Sequence, residues 1–358
     1  MPTLFEPLSF KRGPALKNRF MLAPLTNQQS HADGTLGEDE FRWLVMRAEG
    51  GFGLAMTCAA SVQAGGLGFP GQLGAHDDRH IPGLTRLAGA LRSHGAHAVV
   101  QLHHAGMRSP EKLIGKAPLC PSDNPETKAR GMTLSEIQRT GEDFIAAARR
   151  CEQAGFDGVE LHGAHGYLLC QFLSPETNRR DDQYGGSLEN RSRLLFEIVD
   201  GVRSACGPDF SLGVRLSPER FGLKLEEIAT VAQRLMREDR IDYLDMSLWD
   251  VFKEPEAAEH KGRSLLSFFT GLDRGNVRLG AAGKIISGET CASAMGASLD
   301  FVVIGRSAIL HHDFPKQVAA NSAFRPQAQP VTRDYLHAEG VSDSFAVYLR
   351  NFQGFVAD

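Results

Sequence analysis

Eight short apolar segments punctuate the sequence, and longer segments with helical periodicity separate them. Val, Ile, Leu and Phe are frequent in these segments, as in buried strands. Strands that are apolar along their whole length are buried on both faces, as in a parallel sheet whose connections are helices. The predicted strands are 19–23, 52–58, 97–101, 156–161, 210–215, 241–247, 277–282 and 301–305.

The segments between these strands predict helices. The best marked covers 134–154, where Thr133 and Glu136 have the spacing of a capping box. Similar helices are predicted at 188–205 and 225–237, each directly before a strand. Eight β/α repeats predict a (β/α)8 TIM barrel. A doubly wound sheet is the alternative, although no glycine-rich turn follows the first strand.

The 358 residues are 42% hydrophobic and 23% charged, which allows one large domain with a substantial core. We predict a single domain over 1–358, with 325–358 as a C-terminal extension. The segment 105–132 follows the third strand and has four prolines and no helical period. In a barrel it would lie on the catalytic face, as a lid-like excursion or as a mere surface excursion.

The overall charge argues against a nucleic-acid partner, because a net charge of −4 at pH 7 offers no basic face. The amino terminus lacks the pattern of a signal peptide, and no stretch approaches a membrane span. We therefore expect a cytoplasmic protein without a membrane partner. The six cysteines occur without a CxxC pair, which disfavours zinc ribbons, iron–sulfur clusters and a disulfide framework.

Three glycines, Gly66, Gly68 and Gly71, match the dinucleotide-binding pattern GxGxxG as a string. Pro70 lies inside this string, and QLGAHDD follows it where a helix should begin. We interpret the string as an ordinary glycine loop. Any nucleotide is then expected to bind elsewhere.

His162, His165 and Tyr167 follow the fourth strand, at the end where barrel enzymes place catalytic side chains. Imidazole N–H groups could polarise a substrate carbonyl while the phenol donates a proton to a neighbouring carbon. Two histidines could also bind zinc in a hydrolase, but the sequence suggests no third ligand, and we expect no metal. A non-catalytic ligand-binding protein is a further alternative.

Polar residues also end other strands. Gln101 ends the third strand and Arg215 the fifth, where an amide and a fixed cation would suit a flavin pyrimidine. Each residue alone could equally belong to the barrel rim. Barrels often bind phosphate through the loops after strands seven and eight. In this chain those loops contain Gly283, Lys284, Gly305 and Arg306.

These residues resemble the old yellow enzyme family of FMN-containing NADH:flavin oxidoreductases. The resemblance runs from NRFMLAPLT (18–26) through QLHHAG (101–106) to VVIGRSAIL (302–310). Its most specific part is HGAHGYLLCQFLSPETNRRDDQYGGSLENR (162–191). The resemblance implies a TIM barrel, non-covalent FMN at the carboxyl ends of the strands, and NAD(P)H as the reducing co-substrate. It also suggests a homodimer.

The family implies a ping-pong reaction, in which NAD(P)H gives a hydride to flavin N5 and the reduced flavin passes a hydride to the β-carbon of an α,β-unsaturated compound. His162 and His165 would bind the carbonyl oxygen, Tyr167 would deliver the proton, and Gln28 would lie beside the substrate. Nitro compounds and quinones are further substrates in the family. The residues implied to contact FMN are Ala23, Pro24, Leu25, Thr26, Ala59, Gln101, Arg215, Gly283, Lys284, Gly305 and Arg306.

Overall fold

A computed structural model describes residues 3–357 of the chain. Residues 1, 2 and 358 of the predicted domain lie outside this range. Eight parallel strands form a closed barrel, in which β10 returns to pair with β1. These strands are β1 (Phe20–Leu22), β2 (Leu54–Ser61), β3 (His97–His103), β6 (Gly158–Gly163), β7 (Ser211–Leu216), β8 (Tyr243–Ser247), β9 (Arg278–Ala282) and β10 (Phe301–Ile304).

All eight predicted strands are confirmed in the predicted order, and the doubly wound alternative is wrong. These apolar strands are almost completely buried, so the N–H and C=O groups at their edges have no access to water. A closed barrel pairs every strand on both sides and leaves no edge unpaired. Two short strands, β4 (Leu119–Cys120) and β5 (Arg130–Gly131), form a separate two-stranded sheet. No helix within the described range is both long and apolar enough to cross a membrane.

Helices connect the strands. The three predicted helices are confirmed as α4 (Leu134–Gln153), α6 (Leu188–Ala205) and α7 (Leu225–Arg237). The capping box of α4 is present, since the Glu136 N–H donates to the Thr133 hydroxyl at 3.2 Å. The helices are α1 (Glu38–Glu49), α2 (Ile81–Ser93), α3 (Glu111–Ile114), α4 (Leu134–Gln153), α5 (Leu168–Leu173), α6 (Leu188–Ala205), α7 (Leu225–Arg237), α8 (Ser267–Thr270), α9 (Gly288–Gly296), α10 (Arg306–Leu310), α11 (Phe314–Ala320), α12 (Arg333–Ala338) and α13 (Asp343–Leu349).

Aromatic rings fill the amino end of the barrel. Phe10, from the segment before β1, stacks on Tyr243 at a centroid distance of 4.9 Å. Tyr243 also packs edge-on against Phe301, with centroids 5.8 Å apart. Glycines on the neighbouring strands make room for both rings: a Cβ on Gly213 would lie 2.1 Å from Tyr243, and one on Gly280 would lie 1.9 Å from Phe301. This packing leaves the opposite, carboxyl end for polar side chains.

The segment 105–132 contains a 3₁₀ turn, the single-turn helix α3 and the sheet of β4 and β5. Arg180 fixes this segment to the loop after α5, because its guanidinium donates to the carbonyl oxygens of Pro121 and Met132, at 2.6 Å each. The excursion therefore packs against the loop after α5. Its function as a lid stays a prediction.

The C-terminal extension packs on the loop that follows β1. The Ser342 N–H donates to the Gln29 side chain at 3.0 Å, and Phe345 of α13 packs edge-on against Trp43 of α1 at 5.8 Å. The extension therefore reaches the carboxyl end of the barrel.

Candidate active site

The structure brings His162, His165 and Tyr167 together at the carboxyl end of β6. The His162 ring centroid lies 5.0 Å from that of His165 and 5.0 Å from that of Tyr167. His165 has a φ of 60° and Gly166 a φ of 68°, so the chain turns sharply between β6 and α5. Positive φ is uncommon for residues other than glycine, and such strained conformations cluster at functional sites.

Both imidazoles are neutral. Burial lowers the pKa of His162, and the neighbouring His165 lowers it further. Burial likewise lowers the pKa of His165, and the charge of Arg215 adds to the effect. The Ala164 N–H donates to Nδ1 of His162 at 3.3 Å, which leaves the His162 proton on Nε2. His162 can therefore donate a hydrogen bond to a ligand.

Ser247, at the end of β8, holds the second imidazole. The Ser247 hydroxyl lies 2.7 Å from Nε2 of the His165 ring, and the backbone N–H of His165 donates to the Ser217 hydroxyl at 3.0 Å. The ring of His165 is thus oriented by the protein before any ligand arrives.

A third histidine, His103, joins the cluster, although it was not among the predicted site residues. Its ring centroid lies 4.4 Å from that of Tyr167. The Gln72 amide donates to Nδ1 of His103 at 3.0 Å, so the proton of this imidazole is on Nε2. That Nε2 is buried without a hydrogen-bond partner among residues 3–357. The alternation of β3 gave a signal, since His103 and Gln101 are two residues apart and share a face.

Two more residues reach the site from distant segments. The Arg108 guanidinium lies 4.8 Å from the centroid of the Tyr167 ring and donates a hydrogen bond to the His165 carbonyl. Burial raises the pKa of Tyr348 of α13, and the neighbouring Thr26 side chain lowers it while Tyr167 raises it. Nothing in the local sequence marks Tyr348, because the contact depends on where the C-terminal extension packs.

The glycine loop packs against this site, and its geometry differs from that of a GxGxxG turn, which runs directly into a helix. The Gly68 N–H donates to the side chain of Gln72 at 2.7 Å, and α2 begins only at Ile81. A Cβ on Gly71 would lie 2.8 Å from the carbonyl oxygen of Gln28, which also accepts from Ser344 at 3.1 Å. Gln28 has a φ of 55° and is held between this loop and α13. Its contact with substrate stays a prediction.

The loops after β9 and β10 adopt unusual backbone conformations. Gly283 has a φ of 143° and Lys284 a φ of 50°. The Lys284 ammonium lies 2.9 Å from Asp250, so this side chain has a carboxylate partner. A Cβ on Gly305 would lie 3.7 Å from Leu25 and 3.9 Å from Ala23, which places the loop after β10 beside the segment after β1. Pro24 and Thr26 continue this segment, and Arg306 is exposed at the start of α10.

Gln101 and Arg215 each contact a buried carboxyl group that the sequence analysis did not single out. The Gln101 amide donates to Oε1 of Glu160 at 2.8 Å, and Nε of Arg215 lies 3.0 Å from Oδ2 of Asp245. Ala59 pairs with Gln101 in the register of β2 and β3, after a β-bulge. Glu160 precedes His162 by two residues on β6, so strand alternation gave a signal for it.

Within residues 3–357, no third metal ligand accompanies His162 and His165. Within residues 3–357 the group with metal-ligand spacing is formed by Glu226, Glu259 and His260, at the protein surface. Neither His162 nor His165 belongs to it.

The fold and the site define a class of protein: a TIM-barrel enzyme with neutral hydrogen-bond donors and an arginine gathered at the carboxyl ends of its strands. The family follows from comparison with known sequences. Residues 3–324 match the model of the NADH:flavin oxidoreductase / NADH oxidase family, and the chain belongs to this family.

Relatives and solved structures agree with this assignment. The chain is 37% identical over 326 residues to a probable NADH-dependent flavin oxidoreductase of Bacillus subtilis (strain 168), covering 88% of this chain and 87% of that protein. It is 33% identical over 323 residues to an NADPH dehydrogenase of Bacillus licheniformis, covering 88% and 94%. The old yellow enzyme homologue from Zymomonas mobilis superposes with a TM-score of 0.81 at 27% identity, covering 96% and 99% of the two chains.

The protein is therefore an NAD(P)H-dependent flavin oxidoreductase of the old yellow enzyme type, with FMN as its cofactor. The resemblance that the sequence suggested is confirmed. Three longer curated relatives are matched over only 48%, 38% and 32% of their length.

Proposed function

We propose that this protein is an ene-reductase, which uses NAD(P)H to reduce the activated C=C bond of α,β-unsaturated carbonyl compounds by a ping-pong mechanism. Nitro compounds and quinones are further proposed acceptors. The observation that carries this proposal is the contact between two neutral imidazoles and one phenol, with Tyr167 5.0 Å from His162 between ring centroids. Neutral donors beside a phenol suit a carbonyl that gains negative charge while a carbon gains a proton.

FMN would lie across the carboxyl ends of the strands. The positive φ of Gly283 and Lys284 and the glycine at 305 suit a phosphate held by backbone N–H groups, and Arg306 follows Gly305 directly in the chain. Bound FMN would accept a hydride from NAD(P)H and donate one to the substrate. The remaining proposed contacts are Ala23, Pro24, Leu25 and Thr26 along the flavin ring, and Ala59, Gln101 and Arg215 at its pyrimidine edge.

The substrate oxygen would accept a hydrogen bond from Nε2 of His162. Donation from a neutral, buried imidazole strengthens as negative charge develops on that oxygen, and so it favours the transition state over the bound substrate. His165 would hold the same oxygen from a ring that Ser247 already orients. Gln28 would lie at the edge of this substrate site.

Tyr167 would donate its phenolic proton to the α-carbon of the substrate. The tyrosine begins α5 as its N-cap residue, and its ring is enclosed by His103, His162 and Arg108. This enclosure fixes the ring near the two imidazoles, as a general acid requires.

The proposed domain comprises the barrel and the extension, because the extension places Tyr348 beside Thr26. A homodimer and a cytoplasmic location stay predictions.

An anaerobic visible titration tests the proposed function. NAD(P)H should bleach the flavin band of the purified protein, and 2-cyclohexenone should restore it. Tyr167→Phe serves as the matched variant, because it should bleach normally but recover slowly. Protein that takes up no FMN would contradict the placement of the cofactor. A bleached band that no enone, nitro compound or quinone restores would contradict the substrate class.

A further inference from the structure

A layer of charged side chains lies inside the barrel, directly below His162. Glu160 and Asp245 are each 0% exposed and Arg215 is 4% exposed. Glu160 shares the face of His162 on β6, and Asp245 is the register partner of Arg215 between β7 and β8. Two ionised carboxylates and one guanidinium would leave a net negative charge in this volume, which burial strongly disfavours.

Three carboxyl oxygens of this layer, one of Glu160 and two of Asp245, lack a hydrogen-bond donor within the described residues. Oε1 of Glu160 accepts from Gln101, whereas Oε2 and the Tyr243 hydroxyl that faces Glu160 are both without a partner at hydrogen-bond geometry within the described residues. Arg215 lies 3.0 Å from Asp245 without the alignment of a hydrogen bond, and both oxygens of Asp245 lack a donor there. Buried carboxylate oxygens normally have donors, so acceptors without donors indicate that a carboxyl group carries a proton itself.

Among residues 3–357, the surroundings offer no second cation to the carboxyl pair. The Tyr243 hydroxyl faces Glu160 from β8, and Phe10 covers the Tyr243 ring from below. On the opposite wall of the barrel, Phe301 and Met21 are apolar. Above the layer stands the neutral imidazole of His162. The titratable and charged groups that face the pair are thus Arg215, Tyr243 and His162, with the amide of Gln101 as an uncharged donor.

Burial raises the pKa of Glu160, and the charge of Asp245 raises it further, while Arg215 opposes both effects. Burial also raises the pKa of Asp245, again opposed by Arg215. Two carboxyl groups that share one site do not ionise independently, and after the first proton is lost the remaining proton belongs to the pair.

We propose that Glu160 and Asp245 share one proton at neutral pH, which leaves a single negative charge to balance Arg215, so that the guanidinium faces the pyrimidine edge of FMN from a layer with no net charge. The inference rests on the placement of FMN against Gln101 and Arg215 proposed above. Glu160 and Asp245 are positioning residues in this proposal, because they act on the flavin through Arg215 and Gln101 and touch neither substrate nor cofactor.

The shared proton couples to the redox state of the protein. A hydride brings two electrons and one proton from NAD(P)H, and it leaves one additional negative charge beside Arg215. That charge strengthens the hold of Glu160 and Asp245 on their proton. As the pH rises, the oxidised protein loses the proton first, and reduction then takes up one proton from solvent. The proton returns to solvent when the hydride passes to the substrate.

Potentiometric titration of the FMN-loaded protein at several pH values tests the coupling. For a two-electron couple each additional proton adds about 30 mV per pH unit to the slope. The wild-type slope should steepen by this amount as the pH rises, and the slope of Glu160→Gln should not. At high pH the variant should also have the higher potential, because its amide cannot acquire charge. Equal slopes in the two proteins would overturn the proposal.

Glu40→Gln is the matched control. Glu40 is another fully buried carboxyl group whose pKa burial raises, but it bonds Ser30 between α1 and the barrel, away from Arg215. The slope of this variant should follow the wild type. A Glu40→Gln slope that flattens like that of Glu160→Gln would mean that any buried carboxyl group has this effect, which contradicts a specific role for the pair.

Infrared spectroscopy of the FMN-free protein gives a readout without turnover. The difference spectrum between wild type and Glu160→Gln should contain the stretching band of a protonated carboxyl group at neutral pH. If Glu160→Gln does not fold, Asp245→Asn replaces it in both measurements. A difference spectrum with only carboxylate bands would overturn the proposal. Neither measurement uses an enone, so failure of the proposed reductase activity would be seen separately.

Discussion

The two ends of the barrel interior differ in the side chains that they bury: aromatic rings at the amino end and polar groups at the carboxyl end. At the amino end, the rings of Phe10, Tyr243 and Phe301 pack against one another, and of these three side chains only Tyr243 has a buried polar atom without a partner in the described chain, the hydroxyl that faces Glu160. At the carboxyl end, His103 and Glu160 keep buried polar atoms without partners in the described chain, and residues with positive φ surround them. Unpaired polar groups reduce stability. The comparison indicates that the amino end stabilises the fold and that the carboxyl end is organised for a ligand.

The largest effect is expected at the amino end. Phe301→Ala removes a fully buried ring and should lower the free energy of unfolding by about 3–5 kcal/mol. Denaturant unfolding of the FMN-free protein measures this loss. Phe352→Ala is the control, because Phe352 is 47% exposed and should cost little. FMN affinity of the folded Phe301→Ala protein should stay near that of wild type. If the free energy of FMN binding changed as much as the free energy of unfolding, the result would contradict separate roles for the amino end in stability and the carboxyl end in ligand binding.

Tyr167→Phe should act at the carboxyl end on one half-reaction. Removing a general acid should slow enone reduction by about a hundredfold or more, whereas flavin reduction by NAD(P)H needs no proton from Tyr167. Stopped-flow measurement of the two half-reactions separates these effects. An equal loss in both would show that the phenol positions the flavin or the nicotinamide instead of donating a proton. The unfolding free energy should change little.

His162→Ala should weaken the binding of phenol-type ligands about tenfold to a hundredfold, because it removes a buried donor to the bound oxygen. Titration of the flavin absorbance with such a ligand measures the affinity. His94→Ala replaces an exposed histidine and serves as the control. Unchanged affinity in His162→Ala would contradict its role as a donor.

The smallest effect concerns the pH dependence of stability. A carboxyl group whose pKa is raised by folding contributes stability below its unfolded pKa, and this contribution is lost as the pH rises. Glu160→Gln removes that loss, so the variant should gain stability relative to wild type as the pH increases. The gain is about 1.4 kcal/mol for each unit by which folding raises the pKa. Unfolding of the FMN-free proteins at several pH values measures it, and a constant difference would contradict a proton on Glu160.

Much of the fold could be predicted from the sequence because it rests on local patterns. The short apolar runs of the strands, the capping box at Thr133 and the helical periodicity of 134–154 depend on neighbours within a few residues. The same is true of the cluster from His162 to Tyr167, since one strand end and one turn position all three side chains. Barrel closure then followed from counting repeats.

The tertiary structure alone decided the contacts between segments that are distant in sequence. Glu160 and Asp245 are 85 positions apart in numbering, and only the register of β6, β7 and β8 brings their carboxyl groups to one layer. Tyr348 reaches Thr26 only because the extension packs on the loop after β1. Periodicity predicts which face of an element is buried, but the residue that it meets depends on register and on how the barrel closes.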